Sequence, residues 1–283
     1  MECGNIFENI LVASTVSKFP THAIARAVEL LKGTEGKLYI LLITDELIFR
    51  SIKSSTAHAV SPNDIQELEE AIDSQLSQEG SRLLEVNISS IVEQHAHVVT
   101  KTIRGDSVQT ILNYVDDESI DLIVIENQSD ILLDESIFVE STVPIWVERG
   151  GGIREMMVIS TNLSPNTKVP ILSDQLSDLL NVKRKFFYVI DTPTRAESEK
   201  GQQVAKDFYM DLDREGVLES SADQPEIKEG NISKEVIRKA QEWHPDLIIL
   251  GRIRKPRIFR KEKIKVMQSK RVSKLPYNLL LVN

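Results

Sequence analysis

At 283 residues, with 41% apolar and 27% charged side chains, the chain is long enough for two ordinary α/β domains, each built around a buried sheet. Its apolar runs are strand-sized, which excludes a membrane-spanning helix; its N-terminus lacks the basic start and apolar stretch of a secretory signal; and one cysteine, Cys3, excludes an intrachain disulfide framework. The net charge of −9 is unevenly spread: residues 252–274 hold eleven basic residues and one acid, Glu262, so that segment is +10 and the remainder is −19. A cytosolic protein with no membrane partner is expected.

Residues 9–14 read as a buried strand, an apolar run ending in small polar residues. Ile24, Ala27, Val28 and Leu31 fall on one helical face, which predicts a helix over 21–32 with Gly33 at its C-terminal cap. Residues 38–43 are a second buried strand, and a continuous apolar strand reached through a helix implies parallel pairing with both sheet faces covered. Ser61-Pro62-Asn63-Asp64 starts a helix, with a capping serine, proline at the first helical position and acid in the first turn. The stripe Ile65, Leu68, Ile72 and Leu76 carries that helix to about Val86, with a bend at Gly80. A third strand over 96–103 turns at Gly105 into a helix containing Val108, Ile111, Leu112 and Val115, and strands follow at 122–125 and 144–147. Glu148–Arg154, with three consecutive glycines, is expected to be a flexible joint. Beyond it come a strand at 156–160, a helix at 168–181, a strand at 185–190, a helix at 197–215, a strand at 225–228, a helix at 233–242 and strands at 247–250 and 277–282.

The order of elements occurs twice. Ile10–Thr15 recurs as Met156–Thr161, at an offset of 146 residues that maps Thr15 to Thr161 and Asp45 to Asp191. Asp121-Leu-Ile-Val-Ile-Glu126 recurs as Asp246-Leu-Ile-Ile-Leu-Gly251, and both copies close on a proline-led apolar strand, at Pro144 and Pro276. The first copy is the longer around the connection from its second strand to its third, and the second copy is the longer after its fourth strand, inside the basic segment. Domains at 1–149 and 150–283 are expected.

This pattern resembles the universal stress protein family in its tandem form. The likeness is carried by Ile10–Ala13 and the helix after it, by Leu38–Asp45, by the turns Arg104-Gly105-Asp106 and Glu229-Gly230-Asn231, by the paired Asp-led fourth strands and by the proline-led closing strands. The resemblance implies two tandem open five-stranded parallel sheets of the Rossmann-like, adenine-nucleotide-binding type. In each, the first and fourth strands are neighbours at the topological switch point. It also implies that the two domains pair through their last strands as an internal pseudo-dimer, and a homodimer of whole chains is a further candidate.

Many family members bind ATP through an aspartate after the first strand and a glycine loop after the fourth, whose backbone N–H groups close around the phosphates. Here Thr15 and Thr161 stand at the aspartate position, and a threonine cannot accept the bidentate ribose pairing of a carboxylate. Glu126 and Ser129 replace the two loop glycines of the first copy. In the second copy Gly251 remains, but Arg254 stands at the second glycine, Ile264-Lys265 stand where Gly-Ser is expected, and no glycine follows Gly251. No cofactor is therefore expected, and ATP or another adenine nucleotide in the second domain is the alternative.

The second-domain candidates are Thr161, Gly251, Arg252, Arg254, Lys255 and Lys265, with cations in place of the backbone cradle. Their weaker first-domain equivalents are Thr15, Glu126 and Ser129. Segment 252–274 also reads as a patch for an anionic ligand or acidic partner, although its single aromatic, Phe259, gives base stacking little support; a solvated, charge-balancing loop is the plainer reading. Ser14-Thr15 and Ser160-Thr161 end strands where open α/β sheets bind ligands, but short hydroxyl side chains also satisfy turn backbone there. Asp45 and Asp191 are expected to cap turns, Trp146 and Trp243 to pack, and His95 and His97 to alternate on a strand without completing a metal site. No catalytic constellation is present in the sequence, so the expected function is that of a non-enzymatic stress-response or regulatory protein. A weak ATPase using the second domain is the alternative.

Overall fold

The computed structural model describes residues 6–56, 61–94, 97–127, 136–162, 167–191, 195–214, 216, 225–251 and 275–283. The chain divides into two compact units, Met1–Val143 and Pro144–Asn283. That division falls six residues before the 149/150 boundary read from the sequence, because the strand that closes the first repeat pairs inside the second unit.

In the first unit the order is β1 (Asn9–Thr15), α1 (Thr21–Leu30), β2 (Lys37–Asp45), α2 (Glu46–Thr56), α3 (Pro62–Gln94), β3 (Val98–Gly105), α4 (Ser107–Asp117), β4 (Leu122–Glu126) and α5 (Ser136–Glu140). The strands lie in the order β3-β2-β1-β4, all parallel, with Val12 opposite both Ile40 and Val124. Helices cover both faces. Tyr39 of β2 meets Tyr114 of α4 edge-on at 5.9 Å, while Gly80 brings α3 against Thr102 on the other side. A Cβ at Gly80 would stand 3.2 Å from Thr102 and Val16, so this glycine serves close packing on the sheet. Burying each apolar strand side chain contributes about 1.5–3 kcal/mol, and β1, β2 and β4 are buried almost end to end.

In the second unit come β5 (Ile145–Glu148), β6 (Glu155–Thr161), α6 (Lys168–Leu180), β7 (Lys183–Ile190), α7 (Arg195–Arg214), β8 (Glu226–Glu229), α8 (Ile232–Trp243), β9 (Leu247–Gly251) and β10 (Asn278–Val282). Their order is β5-β10-β9-β6-β7-β8, parallel except that β5 runs antiparallel to β10. β7 packs aromatics on both faces: Tyr188 against Phe208 and Tyr209 of α7, Phe187 against Trp243 of α8. The expected joint is tied down rather than loose. The Trp146 indole donates to the buried Glu148 at 2.9 Å, Glu148 accepts from the Gly150 amide at 2.8 Å, and the Arg149 amide donates to Asn278 at 2.8 Å. Gly150 and Gly151 hold φ of 85 and 86, which an L side chain resists.

The repeated aspartates have a shared structural job. Asp121 accepts from the amides of Glu8 and Asn9, both at 2.9 Å, and Asp246 accepts from those of Arg154 and Glu155 at 2.8 and 3.2 Å. Each carboxylate thus clamps the start of the first strand of its copy beside the fourth. Asp106 and Asn231 likewise cap α4 and α8 through the amides of Gln109 and Lys234.

Several sequence expectations change. The 46–56 segment is the helix α2, which was not expected; only Phe49 is deeply buried in it. The α3 helix begins as expected, with the Ser61 hydroxyl accepting from the Asp64 amide, but runs past Val86 to Gln94. His97 therefore precedes β3 instead of lying on it, with Nε2 3.4 Å from Glu35, and His95 is outside the described residues.

Candidate functional site

The site sought is the crevice at the C-terminal ends of the first and fourth strands of each unit, β1 and β4 in one, β6 and β9 in the other.

In the first unit the crevice is occupied by the protein itself. Glu126 ends β4 and is buried. One of its carboxylate oxygens, Oε2, accepts from the His22 amide at 3.1 Å, and the other, Oε1, lies 3.2 Å from Lys18 Nζ. His22 is in the first turn of α1, a helix that starts after Pro20 with no side-chain cap and no acid of its own. Glu126 supplies both from across the fold, meeting an orphan amide and the positive end of the helix dipole. The turn from β1 is also satisfied internally: Ser14 Oγ donates to the Lys18 carbonyl at 2.9 Å, and the Thr15 and Ser17 hydroxyls bond at 2.6 Å. Asp45, ending β2, accepts from the Leu47 amide at 2.8 Å and from the Ser107 hydroxyl, which fulfils its expected capping role.

In the second unit the equivalent groups differ. Gly251, half-buried, stands where Glu126 stands in the first and offers no carboxylate to α6, and Thr167 makes no side-chain cap there either. Ser160 Oγ is buried and has no hydrogen-bond partner among the described residues, whereas its counterpart Ser14 is bonded. Thr161 makes a long 3.4 Å contact with Asn162 Oδ1. Asn162 joins the ends of β6 and β7, accepting from the Asp191 amide at 2.8 Å and donating to the Asp191 carbonyl at 3.3 Å. The structure thus brings Thr161, Ser160 and Gly251 to one end of adjacent strands. Ser129, Arg252, Arg254, Lys255 and Lys265, with the rest of segment 252–274, lie outside the described residues.

Lys18 and the His22 amide were not singled out from the sequence. The usable signal was an α1 start at Pro20 with no Ser, Thr, Asp or Asn to cap it, which left a helix terminus in need of a distant acceptor.

Residues 7–140 match the model of the Universal stress protein family. That match falls within the first unit. No curated protein sequence matches the chain. Solved structures that cover both units include the following two. One is a Pseudomonas aeruginosa UCBPP-PA14 protein assigned provisionally to the universal stress proteins, with 15% identity over 98% of this chain and 94% of that chain and a TM-score of 0.65. The other is a universal stress protein from Archaeoglobus fulgidus DSM 4304, with 11% identity over 97% and 96% and a TM-score of 0.63. At these identities the likeness shows a universal stress protein fold along the chain.

Two further facts bound the chemistry of the chain. Among the described residues no group of three His, Cys, Asp or Glu side chains is placed to hold a metal ion, and no helix is long and apolar enough to cross a membrane. In the second unit Lys239 is buried with its Nζ 2.7 Å from Glu226 and 2.8 Å from Glu242, and 4.9 Å from the centre of the Trp243 ring. Burial opposes the charge of Lys239, but the two carboxylates outweigh it and raise its pKa, so it is a fixed cation and a poor nucleophile.

Proposed function

We propose that this chain is a non-enzymatic, cytosolic regulatory protein of the universal stress type, acting in a stress response, whose first unit does not hold ATP. The observation that carries this reading is the Glu126 carboxylate, buried at the end of β4 and paired with Lys18 and the His22 amide. A nucleotide phosphate at that point would meet a negative charge in a poorly solvated crevice. Removing Glu126 from its partners would leave a helix terminus and a lysine without their anion. Native mass spectrometry of the purified chain tests the reading: the expected spectrum is that of the bare polypeptide, and co-purified ATP at high occupancy that persists when Arg252, Arg254 and Lys255 are neutralised would overturn it.

A second reading is supported by Ser160 and Gly251. A buried hydroxyl without a partner and a strand end without a side chain are what a ligand-facing surface offers. On this reading the second unit holds an adenine nucleotide, with Thr161 beside it and Arg252, Arg254, Lys255 and Lys265 as the phosphate-binding cations. The same +10 segment would serve an anionic macromolecule instead, in which case binding to DNA weakens steeply with added salt. Neutralising Arg252, Arg254 and Lys255 separates the cases from a merely solvated segment, which loses nothing.

A further inference from the structure

The longer connection of the first repeat carries a helix with no match in the second. Among the described residues one helix, α7, joins β7 to β8, whereas α2 and α3 both lie between β2 and β3. α2 and α4 are 11 residues each, but they are anchored differently. α4 buries Ser107, Val108, Ile111, Tyr114 and Val115. Among its described side chains α2 buries only Phe49, and it leaves Leu47 61% and Ile48 39% exposed.

The sequence of α2 gives it little stability of its own. Eleven residues are too few for a helix that stands alone in water. Ile48 and Ile52 are β-branched, and the Ser54 and Ser55 hydroxyls both donate to the Ser51 carbonyl, at 2.9 and 2.8 Å, a bond that loosens a helix. The Glu46–Arg50 pair at 3.3 Å is exposed and adds little. The contacts that hold α2 to the rest of the unit weaken from its start to its end. At the start Asp45 accepts from the Leu47 amide at 2.8 Å and is itself tied to the Ser107 hydroxyl of α4. In the middle the Arg104 guanidinium of β3 lies 3.8 Å over the ring of Phe49. Near the end Lys53, 62% exposed, meets Glu69 of α3 at 3.2 Å, an ion pair that water largely screens.

We propose that α2 is a strap that opens within the folded protein, with Asp45 as its pivot and Arg104 as its latch. Opening uncovers Phe49 and the face of the Arg104 guanidinium that Phe49 covers. It gives up the burial of one aromatic side chain, whereas opening α4 gives up five buried residues, so the two helices open at different free energies.

Native-state hydrogen exchange of the full chain, read by peptide mass spectrometry, tests this. Residues 50–56 and 111–117 are compared, which leaves out the first-turn amides that have no partner within their helix. Residues 50–56 are expected to exchange on the order of a hundredfold faster than 111–117, through a local opening that low denaturant does not accelerate. Arg104→Gln is expected to raise exchange over 50–56 by about three- to tenfold, the loss of one cation–ring contact, and to leave 111–117 unchanged. Arg104→Lys keeps a positive charge opposite Asp73, 3.6 Å from Arg104 in the native chain, but gives up the flat stack on Phe49. A rise over 50–56 in that variant as well separates the latch from a loosening of β3. Equal protection of the two segments in the native chain, exchange over 50–56 unchanged in both Arg104 variants, or a rise shared equally by both segments in both variants would each overturn the proposal.

Discussion

Glu126 and Gly251 occupy the same place in two copies of one motif, and the surroundings of each follow from that single difference. In the first unit the carboxylate caps α1, holds Lys18 and leaves the strand-end hydroxyls bonded to their own turn. In the second there is no side chain at that point, and the hydroxyl of Ser160 has no partner among the described residues. Where Ser14, Thr15 and Glu126 are answered from within, they make little demand for a ligand; a buried hydroxyl unanswered among the described residues makes more. Elsewhere the copies agree, since Asp121 and Asp246 clamp the same two amides and Asp106 and Asn231 cap the same helix. What is shared maintains the sheet, and what differs lies where ligands bind.

The widest test of the shared part acts on both units at once. Burial pushes the phenols of Tyr114 and Tyr188, one in each unit, up to about 12; at Tyr114 the nearby Glu118 adds to the effect. A folded pKa above the unfolded value of 10 contributes stability that is fully present below pH 10 and is lost as pH rises toward 12. Tyrosinate absorbance should therefore lag behind that of free tyrosine and then rise together with loss of helix in both units. Ionisation near pH 10 in one unit alone would break the parallel.

Next in size are the clamps. Asp121→Ala and Asp246→Ala should each destabilise by about 2–3 kcal/mol, because each strands two amides that a charged acceptor served. Unequal losses in thermal unfolding would show that the repeated aspartates are not equivalent. Glu126→Ala should cost about 1–2 kcal/mol, mostly from the α1 terminus, since Lys18 is 40% exposed and its ion pair is largely screened. Asp106→Ala and Asn231→Ala should each cost about 1 kcal/mol, the usual loss of a helix cap. The smallest effect is the most discriminating. Ser14→Ala should lose about 1 kcal/mol with its bond to Lys18, while Ser160→Ala should be neutral or slightly stabilising because its hydroxyl has nothing to lose. Equal losses would erase the distinction between the two crevices.

The strands were legible because each is a continuous apolar run that occurs twice, and a buried parallel strand has few other ways to look. The connections were less so. α2 shows the sequence little more than Phe49, with Leu47 61% exposed, so its apolar residues do not mark a core-facing stripe. α3 outruns its expected end because its C-terminal part carries no glycine or proline to stop it. At the site, the departures from the glycine loop at Glu126 and at Gly251 could be read directly. The consequence of Glu126 could not, because its partners Lys18 and His22 are more than a hundred residues away and meet it only when β4 lies beside β1.

The account rests most heavily on the first crevice being closed to phosphate. Photoaffinity labelling with an azido-adenine analogue of ATP, followed by peptide mapping of the full chain, addresses that directly. The expected result is no saturable label in peptides covering residues 9–30 or 121–127, with any label confined to peptides of the second unit. Saturable, ATP-competed labelling of residues 9–30 in the protein with Glu126 intact would contradict it.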